Sequence, residues 1–167
     1  MAAAAADNLP AFENLAERYL QRILRFAGRL TGSAEAAERI AEETLGTAFQ
    51  RRKALPPSTK VSVLMYWTAS KLAHQWLARN PGRGPERQAG PRRVAEDLDL
   101  DRRDERLDRA FGVLDDRDRE ILILTLFEGL TQADAATILN LPAEELRSRA
   151  ESAYHAFRQE LGESFFH

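Results

Sequence analysis

Arg147, Ser148 and Arg149 put two guanidinium groups and a hydroxyl at consecutive positions near the start of a helical stretch. Such a set suits phosphate oxygens and the base edges of a nucleic-acid groove. A second basic set, Lys60, Lys71 and Arg79, falls along the outer side of an earlier helical stretch. No chemistry of bond making accompanies them: the sequence has no glycine-rich phosphate loop, no nucleophile beside a base and no carboxylates paired to shift each other's acidity. His74, His155 and His167 are scattered, and cysteine is absent from all 167 residues. Neither a metal site nor a cofactor is therefore expected, and the chain reads as a binding protein and not an enzyme.

Acid stands against these cations. Glu144 and Glu145 precede Arg147, where carboxylates stabilise a helix amino end but repel a phosphate approaching it. Residues 1–80 carry 11 basic and 7 acidic side chains, whereas residues 107–167 carry 6 and 12. Phosphate neutralisation supplies most sequence-independent affinity for DNA, so contact with DNA through the acidic second half is expected to be weakened.

The elements that must position these residues read as helices throughout. Phe12, Leu15, Tyr19, Ile23, Phe26 and Leu30 recur at three- and four-residue steps and predict an amphipathic helix ending at Thr31-Gly32. Ser33 can cap a second helix buried through Ala37, Ile40, Ala41, Thr44, Leu45, Ala48 and Phe49. After the break at Leu55-Pro56-Pro57, a third helix carries the stripe Val61, Leu64, Met65, Thr68, Leu72 and Trp76. Tyr66 and Trp67 lie off that stripe, where packing on a neighbouring helix is favoured over a partner surface.

Asn80 to Arg93 holds three prolines and three glycines, a composition that reads as a flexible linker. The charged run Glu96 to Arg109 reads as a solvated helix face. Leu107, Phe111 and Leu114 then open a second bundle, Asp115 or Asp116 caps a helix carrying Ile121, Leu122, Leu124 and Thr125, and Gly129 stops it. Thr131 with Asp134 starts a short helix, Asn140-Leu141-Pro142 turns the chain, and a last helix is buried through Leu146, Ala150, Ala153, Phe157 and Leu161. A short helix, a tight turn and a longer helix make a helix-turn-helix pattern. The expected fold is all-α: two small helical bundles over 8–80 and 104–162, joined by a flexible linker over 81–103. Met1 to Ala6 lacks the basic start of a signal peptide, and the apolar run Ile121 to Phe127 is closed by Glu120 and Glu128. A cytoplasmic protein without membrane contact is expected.

The stretch LDDRDREILILTLFEGLTQADAATILNLPAEELRSRAESAYHAFRQEL, Leu114 to Leu161, resembles region four of extracytoplasmic-function sigma factors. RFAGRLTGSAEAAERIAEETLGTAF and LMYWTASKLAHQWLAR are similar to the clamp-binding and promoter-melting helices of their region two. The resemblance implies that core RNA polymerase and promoter DNA are the partners. Promoter contact would come from Arg147, Ser148, Arg149, Lys60, Lys71, Gln75 and Arg79. Polymerase or partner contact would come from Glu38, Arg39, Ile40, Glu42, Glu43 and Trp67.

The chain departs from the family pattern at several of these positions. Glu144 and Glu145 stand where Gly-Thr is usual, Lys71 and Gln75 where asparagine and aspartate are usual, and Arg39 and Glu42 where an acid and a glutamine are usual. RFAGRLTGS, STKVSVLMYW and AATILNLPAEE also resemble the sigma-like domain of PhyR-type stress regulators. That resemblance implies a second reading, a sigma mimic or adaptor that grips an anti-sigma protein in place of a promoter. A stand-alone helix-turn-helix regulator using residues 131–161 would leave residues 12–79 without a role.

Overall fold

The computed structural model describes residues 9–51, 53, 54, 56, 58–82 and 106–162. Among them every regular element is helical. Helix α1 spans Leu9–Thr31 and α2 spans Ala34–Arg51. Between them Gly32 takes the left-handed conformation at φ 64°, and the Ser33 hydroxyl accepts the Ala36 N–H at 3.2 Å to start α2. Helix α3 is Val61–Arg79. These three helices close over Ile23, Phe26, Ala27, Ile40, Ala41, Met65 and Ala69, each at most 4% exposed.

The predicted α3 stripe is only partly the buried one. Met65 and Thr68 are buried as expected, but Val61, Leu64, Leu72 and Trp76 are half-buried, and Tyr66, Ala69, Ser70 and Ala73 are buried instead. A single stripe presumes one packing partner. Here α3 packs against α1 and α2 on one side and against the carboxy-terminal half on the other.

That second half begins with α4, helical over 106–112. Asp115 is the cap of α5, Asp116–Leu122, its carboxylate accepting the Asp118 N–H at 2.7 Å. Arg119, 3% exposed, binds the α4–α5 turn by donating to the carbonyls of Phe111 at 3.1 Å and Leu114 at 3.2 Å. Helix α5 then widens into a π turn over Ile123–Phe127, where the Glu128 N–H reaches the Ile123 carbonyl at 2.9 Å. Gly129, at φ 68°, ends it.

Helix α6 is Gln132–Leu139, capped by the Thr131 hydroxyl on the Asp134 N–H at 3.1 Å. Asn140 takes the left-handed conformation (φ 52°) that lets the chain turn into α7, Ala143–Leu161. Phe111 and Phe157 meet at a ring separation of 4.9 Å in a core shared with Ile121, Leu146 and Ala153. The helix-turn-helix predicted at α6–α7 is therefore present with its expected caps. The linker expected over 81–103 lies almost wholly outside the described residues. No helix among the described residues is long and apolar enough to cross a membrane.

Candidate nucleic-acid and partner interface

The two halves dock, and of the basic residues singled out from the sequence Lys60 is drawn into that docking while Arg147 and Arg149 enter ion pairs within the carboxy-terminal half. Lys60, just before α3, donates to both oxygens of Asp134 on α6, at 2.8 and 3.1 Å. The ammonium beside it, first of the causes, holds the Asp134 carboxyl below its ordinary range. Lys71 lies with its Nζ 5.2 Å from the Trp67 ring centre. Both line a cleft of about 320 Å³ between α3 and the carboxy-terminal half, together with His74, Arg117, Glu120 and Ile138. Gln75 and Arg79 are exposed farther along α3.

On α7 the first turn carries Glu144 and Glu145, and Pro142 at the cap position offers no side-chain bond. Arg147 pairs with Glu144 at 2.5 Å. Arg149 pairs with Asp118 at 2.5 Å, Asp115 at 3.5 Å and Glu145 at 3.6 Å, and the Asp118 hydrogen bond pushes its already high pKa further up. Ser148 is exposed beside them. Three adjacent side chains therefore stand at the entry of the second helix of the helix-turn-helix, with the charge of both arginines already met by acids.

Glu38, Arg39, Glu42 and Glu43 share the exposed side of α2. Ile40 does not join them. It is 4% exposed and sits in the amino-terminal core, because it occupies the apolar phase of α2, so the structure removes it from any partner-contacting set. Trp67 is half-buried, packed against the core while also lining the cleft.

Sequence reasoning missed the groups that join the halves. Glu128 accepts the Tyr66 hydroxyl at 2.5 Å. It also lies 3.6 Å from the Arg22 guanidinium and 3.9 Å from that of Arg29, and its backbone carbonyl takes a further Arg22 bond at 2.8 Å. Glu120 accepts the Ser70 hydroxyl at 2.5 Å and meets His74 Nε2 at 2.7 Å. That hydrogen bond is the leading cause raising the His74 pKa above 6.5. Tyr66, fully buried and edge-on to Phe26 at 5.3 Å, has its pKa pushed up by burial and by Glu128. A signal did exist: Glu120 lies four residues before Leu124 and so shares a helix side with a strongly apolar position. By sequence position alone the two acids mark only the ends of the apolar run Ile121 to Phe127.

Residues 110–159, from α4 to near the end of α7, match the family model for Sigma-70, region 4. Among curated proteins none matches the sequence. Among solved structures, the chain resembles CnrH in complex with the cytosolic domain of CnrY, with 23% identity, a TM-score of 0.69, and 93% of this chain and 90% of that one covered. It also resembles the sigma factor RpoE in complex with the anti-sigma factor NepR from Bartonella quintana, with 20% identity, a TM-score of 0.72, and 92% and 98% covered. At these identities the likeness is one of fold, and it extends over both halves.

Proposed function

We infer that this chain is a sigma factor of the extracytoplasmic-function type, a subunit that joins core RNA polymerase and confers promoter recognition. The observation that carries this reading is the Sigma-70 region 4 match lying over the helix-turn-helix of α6 and α7. The amino-terminal helices are those that a sigma-like fold places beside such a domain. In this reading α7 enters the major groove and brings Arg147, Ser148 and Arg149 to bases and phosphates. Lys60, Lys71, Gln75 and Arg79 on and before α3 meet the second promoter element, and the exposed side of α2 with Glu38, Arg39, Glu42 and Glu43 meets the polymerase. A sigma factor makes and breaks no bonds itself and works where the polymerase is, in the cytoplasm. Transcription from promoter fragments by core polymerase, with and without the chain, tests the reading. A discrete start site that requires the chain is expected, and its absence across a genomic fragment library refutes the proposal.

A second reading is favoured by the pairing of Arg147 with Glu144 and of Arg149 with three carboxylates. Cations already neutralised release few counterions when they meet DNA, so the same surfaces would serve better to grip a protein. In this reading the chain is a sigma mimic, and its partner is an anti-sigma protein. Affinity capture from the native cell separates the two. Core polymerase subunits coming down favour the sigma factor, and a small helical protein with no polymerase favours the mimic.

A further inference from the structure

In a helix-turn-helix the second helix meets base edges with the residues of its first turns. The buried side of α7 is marked there by Leu146, which is fully enclosed. Glu144 and Ser148, two residues from it in either direction, stand about 160° around the axis from it. They occupy the side turned away from the core, and the Glu144 side chain is 81% exposed. Glu145 stands only about 100° from Leu146 and lies 3.6 Å from Arg149, whose guanidinium is bound to Asp118 of α5. The two acids are therefore alike in charge and different in direction: Glu144 is aimed outward, and Glu145 is tied to the flank of the helix.

The Arg147 guanidinium pairs with Glu144 at 2.5 Å across one turn, and a carboxylate has lone pairs beyond those that one guanidinium takes. A carboxylate can only accept hydrogen bonds, so what it can meet in the major groove is narrow. Guanine presents two acceptors there, and thymine an acceptor and a methyl group. Adenine presents an amino group flanked by the N7 acceptor. Cytosine presents its N4 amino group with no acceptor beside it, which makes it the base edge best matched to a carboxylate.

We propose that Glu144 is a specificity-determining residue, accepting a hydrogen bond from cytosine N4 in the promoter element that α7 enters. This rests on the sigma-factor reading and sharpens it. The acid lowers affinity for every sequence by opposing the phosphates, and regains part of that loss only where cytosine lies opposite. A charge unfavourable to DNA binding in general thereby becomes a filter on sequence. Its removal raises overall affinity and flattens the preference.

The test is selection from a pool of DNA duplexes with a randomised segment, retained by the full chain together with core polymerase. One position is expected to favour cytosine over guanine and thymine by roughly tenfold. In Glu144→Gln the same position is expected to turn to adenine, because a glutamine amide donates to N7 while accepting from N6. Glu145→Gln removes the same charge one residue away and is expected to tighten binding to all sequences without moving any preference. Both side chains are exposed, so circular dichroism of the two variants is expected to match that of the unsubstituted chain. A retained motif whose preferences survive Glu144→Gln overturns the role of Glu144 and leaves the sigma-factor reading standing, as does an equal change of preference in Glu145→Gln. Retention of no motif by the unsubstituted chain refutes the sigma-factor reading itself, and the role of Glu144 falls with it.

Discussion

One guanidinium at the mouth of α7 meets three carboxylates, and its neighbour Arg147 meets a fourth. These pairs are exposed and individually weak, so DNA can displace them, but each phosphate must compete with an acid already in place. Arg147→Ala is expected to weaken binding to a promoter fragment by about 1–3 kcal/mol where that side chain reads a base. Glu144→Gly combined with Glu145→Thr is expected to strengthen binding, because it removes two repelling charges from the positive end of α7. Titration of labelled promoter DNA against both variants checks the pair, and two unchanged affinities would take α7 off the DNA. At the buried acids the balance differs. Tyr66→Phe deletes a hydroxyl donated to a carboxylate with almost no access to water and is expected to lower stability by about 1.5–3 kcal/mol in urea denaturation.

The π turn at the end of α5 is the element whose geometry matters most. It sets the direction of Glu128 and is followed at once by Gly129, so the register there decides which way the acid points. Leu126 is 47% exposed within that turn, and removing it should close the turn to ordinary α geometry at small packing cost. Glu128 would then rotate by about 100° away from Arg22 and Tyr66. The expected outcome is a carboxy-terminal half with intact helical content and a chain of larger hydrodynamic radius, measured by circular dichroism and small-angle scattering. An unaltered radius would mean that the register of the turn does not govern docking. The α6–α7 turn is different in kind: Asn140 tolerates its left-handed backbone locally, so this element holds its shape without help from the other half.

At the scale of the molecule, docking links pH to stability through His74. Its folded pKa lies above 6.5, so the stabilisation from its contact with Glu120 is full below that value and fades as pH rises through the raised one. The sign is opposite to that of Asp134, whose carboxyl is held low by Lys60 and whose contribution is lost on acidification. Chemical denaturation across neutral pH should show a downward slope in stability with rising pH that His74→Gln flattens, and a slope that persists in the variant would assign it elsewhere. Salt acts on the same contacts. With Lys60, Arg147 and Arg149 already paired, DNA affinity should fall with salt less steeply than a count of basic side chains implies.

Helix type, caps and the helix-turn-helix were legible in the chain itself, because they depend on local events: an apolar side chain every third or fourth residue, the Thr131 and Asp115 oxygens beside free amide groups, a residue such as Asn140 that tolerates the left-handed turn. The candidate contact residues were legible only as types and positions. That Ile40 lies inside, that Lys60 answers Asp134, and that Glu120 and Glu128 are core groups of a joint between halves are facts of tertiary structure. Each depends on which surface meets which across tens of residues of chain, and a carboxylate in sequence looks the same whether it faces water or a buried hydroxyl.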